Sequence, residues 1–559
     1  MKRKWLVLSL LLVVVLAIAA ACGRGNDEPR NPAPEETSPP AQDTTGQQDP
    51  AAQEDTIEEA PVERELIRVS VSNWGVSGSF ADSGEPCEIY AYIQERFGLT
   101  FDPINVGWDN FWELPHLWAA ADTLPDIIGA LNLVNHPAMR EWADVGMIRA
   151  LPEDLSRWPD LNRVISQQFV QDYAINGRTY FVPRMSAPSA EYQALARGII
   201  NRRDWREQLG IPVPQTPEDF LDMWRAYTEN DMNGDGSMVF GVMPNAPFLM
   251  HEQALPGFGD TRPGWVMLDD GSMVRLAMER TSIPLLSFWR TAFNQGLVDP
   301  DFITQDNLAH QHFALGRVGT ILHHIQPVHL NNLYSQWVEL QPDVDFFDAV
   351  EILFTPRLPG ITPLYDRGAG FWSETMFSSR VDDATMERIL DFFDWGSSEA
   401  GVNMMVFGIE GQDFVIENGE IVMLTPIDPD TGQHLGAGDI HLFASGGMNN
   451  LIAWSHDLVE WTNPNIPLQI RQMSMAARDY IFGPTNDFVT RDNRIGTLEV
   501  PEADELGIST SAEWVAMVTD TRDISDEELF EEFYARWTAQ GYGRAKEAMT
   551  RAMAARLAE

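Results

Sequence analysis

The chain of 559 residues carries 83 acidic against 38 basic side chains, a formal net charge of -45, and 44% of it is hydrophobic. That imbalance excludes a nucleic-acid binder, which needs a basic footprint along the phosphates, and broad docking on anionic lipid. The length and the apolar content suffice for two or three ordinary domains.

Lys2, Arg3 and Lys4 form a basic start, and Leu6 to Ala21 is apolar apart from Ser9. A basic start, a short apolar run and small residues before a cut site make a secretory signal. A membrane span needs about 20 apolar residues, more than this run holds. Ala19, Ala20, Ala21 and Cys22 resemble the bacterial lipoprotein cleavage box. The resemblance implies a signal peptide over 1–21, cleavage before Cys22, and a diacylglyceryl group on its sulfur. Each buried CH₂ of such fatty-acid chains contributes about 0.8 kcal/mol, so two or three chains anchor stably. Residues 22–62 are rich in Pro, Glu, Gln, Thr and Asp, with almost no aliphatic residue before Ile57. Such a segment buries too little apolar surface to offset its ordering entropy and reads as an extended tether. Cys87 is the other of the two cysteines. With Cys22 lipidated it has no intrachain partner, and it reads as a packing residue.

The body opens with RELIRVSVSNWG, where Ile67, Val69 and Val71 alternate with polar residues at strand spacing. AYIQERFG predicts a helix ending at Gly98, and TFDPINV a second strand. TLPDIIGALN (123–132) and GRTYFVP (177–183) read as further strands. Strands alternating with helices predict α/β layers and a mostly parallel sheet. TPEDFLDMWRAY places Thr216 at a helix N-cap with Pro217 at the first helical position, and Phe220, Met223, Trp224 and Tyr227 on one face. SDEELFEEFYARW places Ser525 and Glu528 in a capping box, with Leu529, Phe533 and Trp537 on one side. Gly541 stops that helix, and a last one follows.

Five blocks in order then resemble a known family. AAADTLPDII, WADVGMIRALPEDL, INGRTYFVPR, GIINRRDWREQLGIPVPQTPEDFLDMWRAY and FDWGSSEAGVNMMVFGIEGQDF are similar to successive segments of the extracellular solute-binding proteins of ABC importers. The resemblance is to the large oligosaccharide-binding branch that includes alginate-binding proteins. It implies an α/β, two-lobe periplasmic-binding-protein-like fold with a hinge and an interlobe cleft. The first lobe is expected over 63–190 plus 366–452, and the second over 191–365 plus 453–559. The crossings are expected near 183–197, 356–373 and 449–457.

A sugar site wants flat aromatic side chains and a few directed polar groups. Candidates near strand ends and crossings are Trp74, Asn132, Arg184, His323, His324, Trp372 and Trp454, whereas Trp205, Trp224, Trp395 and Trp537 sit in helix-like blocks and read as structural. DMNGDGSMVFGV resembles the first half of a calcium loop, with Asp231, Asn233, Asp235 and the Ser237 carbonyl as oxygen donors. Val239 and Val242 stand where the second half needs acidic groups. The expectation is a non-enzyme that requires no cofactor, with a structural Ca²⁺ as the one candidate ion. It is a monomer on the outer face of the cytoplasmic membrane, delivering an oligosaccharide to the transmembrane subunits of a permease. The long-range charge favours a neutral oligosaccharide, with uronate oligosaccharides second. A sensing subunit is the alternative class. A polysaccharide-degrading enzyme is the remote one, because 83 acidic residues make chance carboxylate pairs inevitable.

Overall fold

In the computed structural model the described residues are 65–558, apart from 77–86, 108–109, 112, 132–136, 186–196, 253–254, 304–307, 367–370, 430–431, 442, 444–450, 453–458, 460 and 490–491. The alternation at the start of the body forms strand β1, Ile67–Trp74, with Val69 and Val71 buried. Helix α1, Glu88–Phe97, turns its Ile89, Tyr90, Ile93 and Phe97 inward and ends at Gly98, as its sequence predicts. Cys87 is buried at the start of α1, where its Sγ accepts from the Phe443 N–H at 3.3 Å. Strand β2, Leu99–Val106, pairs in parallel with β1 along its whole length, and β3, Ile127–Leu131, pairs in parallel on the other side.

Strand β4 is Phe181–Met185, later than the sequence suggests. Asn176 and Gly177 both have positive φ, 51° and 76°, inside a tight turn closed by an Ile175–Arg178 bridge. The predicted start of the strand is therefore spent on reversing the chain.

The next strand, β5 at Gly198–Arg202, belongs to a second sheet. Helix α2, Pro217–Glu229, begins with the predicted cap. Thr216 Oγ1 accepts from Asp219 N at 3.2 Å, and Asp219 Oδ2 accepts from Thr216 N at 2.9 Å. Strand β6 is Phe240–Pro244, helix α3 is Ala309–Ala314, and β7 is Val318–His323, buried throughout. Helix α4, Pro327–Leu340, leads towards β8, Val350–Leu353. The helix α2 lies tight against this sheet because Gly241 and Gly319 face it. A Cβ at Gly241 would stand 2.3 Å from Trp224 Cβ, and one at Gly319 would stand 2.2 Å from Tyr227 Cδ2. Trp224 also donates to Thr320 Oγ1 at 3.0 Å, so its indole N–H is satisfied in the core.

Strand β9, Phe371–Phe377, returns to the first sheet and inserts between β3 and β4. The orders are β2-β1-β3-β9-β4 and β8-β5-β7-β6. The sheets are more mixed than expected. Among the described strands of these two sheets, β9 runs antiparallel to both neighbours, β5 runs antiparallel to β7 and β8, and β1 with its neighbours and β6 with β7 run parallel. The reversed strands are the two that enter from the other sheet. They start at the edge where the remaining strands end.

Each sheet has its own hydrophobic core, one drawn from Val69 to Ile452 and one from Ile199 to Met553. The C-terminal helices α5, Asp526–Gln540, and α6, Tyr542–Ala558, pack on the second core, with Leu529 and Trp537 fully buried and the Ser525–Glu528 capping box in place. Trp205, Trp224, Trp395 and Trp537 are all core residues.

Candidate functional site

Strands β1 and β3 are parallel, and β4 points the same way because β9 is antiparallel to both β3 and β4. Their carboxyl ends therefore share one edge, the place where open α/β sheets bind ligands. Asn73, Trp74, Arg184 and Glu374 meet there, and all four are buried. Arg184 Nη1 donates to Asn73 Oδ1 at 3.3 Å, and the same oxygen accepts from Trp74 N at 3.0 Å. The guanidinium carbon of Arg184 lies 4.9 Å from the centre of the Trp74 ring, a cation–π contact. Burial pushes Arg184 down to about 9, opposed by the charge of Glu374. Trp74 also packs with Val106 and Phe111.

Trp372 occupies an irregular position of β9 at this edge. Pairing with β4 steps from Phe371↔Met185 to Ser373↔Arg184, so Trp372 is the extra residue of a bulge. Bulges of this kind recur beside binding sites. Asn132, Trp454 and Cys22 lie outside the described residues.

The second sheet builds a matching edge. Gly198 at the start of β5 pairs with His323 at the end of β7, and β6 ends beside them. His323 and His324 come together here with residues that the sequence reading did not single out as ligand groups: Arg197, His310 and His329. The His310 and His323 rings are 3.7 Å apart centre to centre, and His324 stacks on His329 at 4.2 Å. Arg197 Nη1 lies 2.9 Å from His324 Nε2, while His324 Nδ1 lies 3.1 Å from Gln326 Oε1. The guanidinium can only donate, so His324 is neutral, with its proton on Nδ1 facing Gln326. Arg197 also covers the Phe248 ring at 5.2 Å.

Burial disfavours the charged form of every imidazole in the group. It holds His323 and His324 well below the usual histidine range, helped by the neighbouring imidazoles and Arg197. It pushes His310 down to about 4, with His329 adding to the effect, and His329 to about 4, with Arg197 adding. Arg197 itself is pushed down to about 10 by burial, opposed by Glu252. One sequence signal could have exposed this group: five of the 11 histidines fall between 310 and 329. The fifth, His312, is structural. Its Nδ1 is 2.9 Å from buried Asp299, whose carboxylate Arg317 also holds at 2.8 Å while reaching Asp301 at 2.9 Å. Asp299, Asp301 and His312 are close enough to hold a metal, but the guanidinium already supplies the positive charge there.

The Asp231–Ser237 loop lies apart from both edges in the chain, between α2 and β6. Gly236 N donates to both Asp231 oxygens at 3.1 Å, Ser237 N donates to Asp235 Oδ1 at 2.8 Å, and Asn233 Nδ2 donates to Ser237 Oγ at 3.2 Å. Val239 and Val242 are buried in the core and offer no side-chain oxygen. Two carboxylates, an amide and a carbonyl fit a calcium completed by water, since that ion takes 6–8 oxygens. Such an ion would brace the turn between α2 and β6.

No protein-family profile matches the chain. The polygalacturonan/rhamnogalacturonan-binding protein YtcQ of Bacillus subtilis (strain 168) is 22% identical over 298 residues, covering 52% of this chain and 56% of that protein. The chain spans about half the length of the curated relatives it matches. The crystal structure of alginate-binding protein AlgQ2 without calcium ion superposes with a TM-score of 0.63 at 16% identity, covering 89% of this chain and 99% of that one. The ABC-transporter substrate-binding protein FusA of S. pneumoniae, in complex with kestose, gives 0.63 at 14% identity, covering 87% and 98%. The chain thus has the two-lobe fold of the ABC-transporter sugar-binding proteins.

Proposed function

We propose that this chain is a lipid-anchored extracellular solute-binding protein that captures an oligosaccharide between two lobes and delivers it to an ABC-type importer. The observation that carries the reading is the pair of strand-end edges. Arg184 closes one and Arg197 opens the other, with the first expected crossing between them. Each edge holds an aromatic ring beside polar groups, Trp74 with Asn73 and Arg184, and Phe248 with Arg197. That is the mixture a sugar ring needs. The relatives are named as binding proteins, which supports capture without turnover. The proposed lobes are 63–190 with 366–452 and 191–365 with 453–559, a division supported by the two separate cores. Cys22 carries the lipid, and the tether keeps the loaded body near its permease and raises its effective concentration there.

Thermal unfolding against a panel of neutral and uronate oligosaccharides tests the reading. A ligand at a hundred times its Kd adds about 2.7 kcal/mol of stability. A rise with one sugar class, and recovery of that sugar intact, is the expected result. A sugar recovered cleaved overturns it.

A further inference from the structure

The imidazole group at the second edge is unusual in what it leaves unmade. Among the described residues, His310 Nε2 and His323 Nδ1 are buried with no hydrogen-bond partner within 3.5 Å, although the two rings touch at 3.7 Å and His323 also faces the His324 backbone. A buried polar atom without a partner is costly, so a ligand that supplies the partner recovers that cost on binding. His324 is not available for this, because Arg197 and Gln326 already occupy its two nitrogens.

We propose that His310 and His323, backed by Arg197 and His329, form a proton-linked subsite for a carboxylate-bearing sugar unit. The proposal rests on the oligosaccharide-binding reading and adds the ligand class to it. Among the described residues, the charged and titratable groups around the pair are Arg197 before β5, His324 at the end of β7 and His329 on α4, with Glu252 after β6 acting on Arg197. Without ligand, a proton on either imidazole would add a second positive charge beside Arg197 in a site that water reaches poorly. An entering carboxylate supplies the counter-charge. Proton and carboxylate then stabilise one another, and by linkage each raises the affinity for the other equally. A neutral sugar could offer hydroxyls to the same nitrogens but would draw no proton. The chain as a whole repels anions through its charge of -45. The local positive charge made at the moment of binding is what lets this site accept one.

Isothermal titration of the full chain at pH 7, in two buffers of different ionisation heat, separates the possibilities. The probes are oligogalacturonate and oligoalginate, with neutral oligosaccharides of matching length. The expected result is binding of an oligouronate with net proton uptake. Its affinity should fall by up to about tenfold per pH unit between pH 6 and pH 8, the slope of one linked proton. The substitutions His323→Asn and His310→Gln should each reduce the uptake, with unfolding midpoints recorded to show that the variants fold. Uronate binding without proton uptake overturns the subsite, as does a neutral sugar binding where no uronate does. Either result leaves the transport reading standing. If no sugar of either class binds, the oligosaccharide reading itself falls.

Discussion

Arg197 donates to Nε2 of His324 at 2.9 Å, and this contact ties the start of β5 to the end of β7 through a neutral imidazole. A charged His324 would lose that acceptor and face the guanidinium as a like charge. The group is thus built for the neutral state, and the stability of the second lobe is tied to pH.

The sign follows from the depressed values. In the unfolded chain these histidines take up protons below about 6.5, whereas folded His310 and His329 resist until about 4. Their contribution is therefore fully present above 6.5 and is lost progressively as pH falls towards 4. Each group adds up to about 1.4 kcal/mol of loss per pH unit within that window. Urea unfolding from pH 8 to pH 5 should show the midpoint flat at first and then falling below 6.5. A midpoint that stays level to pH 5 would disprove the coupling.

Arg184 and Glu374 share a buried edge in the first lobe, with the carboxylate charge favouring the charged guanidinium. Arg184→Met should cost about 3–5 kcal/mol, because it removes a buried positive charge that faces the Glu374 carboxylate. Adding Glu374→Gln should restore most of that loss. Additive losses in the double variant would show that the two charges do not interact.

The contact of α2 with its sheet depends on two positions without side chains. Gly241→Ala places a methyl 2.3 Å from Trp224 Cβ and 2.7 Å from its Cα, where backbone has to move. The expected loss is about 1–3 kcal/mol, with little change in ligand affinity. Denaturant unfolding measures the first and titration calorimetry the second.

For the Asp231–Ser237 loop, millimolar calcium should raise the unfolding temperature by a few degrees. Asp231→Asn combined with Asp235→Asn should remove the rise. Four protein oxygens place the affinity in the weak extracellular range of about 10⁻⁴–10⁻³ M. An identical rise in the double variant would move the ion to another site.

Cys22→Ala should release the exported protein from the membrane fraction. Continued membrane retention of the variant, with its signal removed, would rule out the lipid as the anchor.

Local patterning already determined much of this protein. Alternation marks β1, and Thr216 and Ser525 mark their helix starts; these are legible because each depends on residues within one or two turns of one another. The two α/β lobes are instead what the resemblance of the five ordered blocks to a known family implies. The sheet directions were not legible, since β5 and β9 are reversed by where the chain crosses, which no local pattern records. The candidates His323 and His324 could be placed near a strand end, as could Trp74 and Arg184. Their partners could not. The pairing of Arg184 with Asn73 spans 111 residues, and that of Arg197 with His324 spans 127. Only the tertiary structure brings such groups together and removes the water around them. That burial keeps the imidazoles neutral and leaves His310 and His323 with nitrogens to offer.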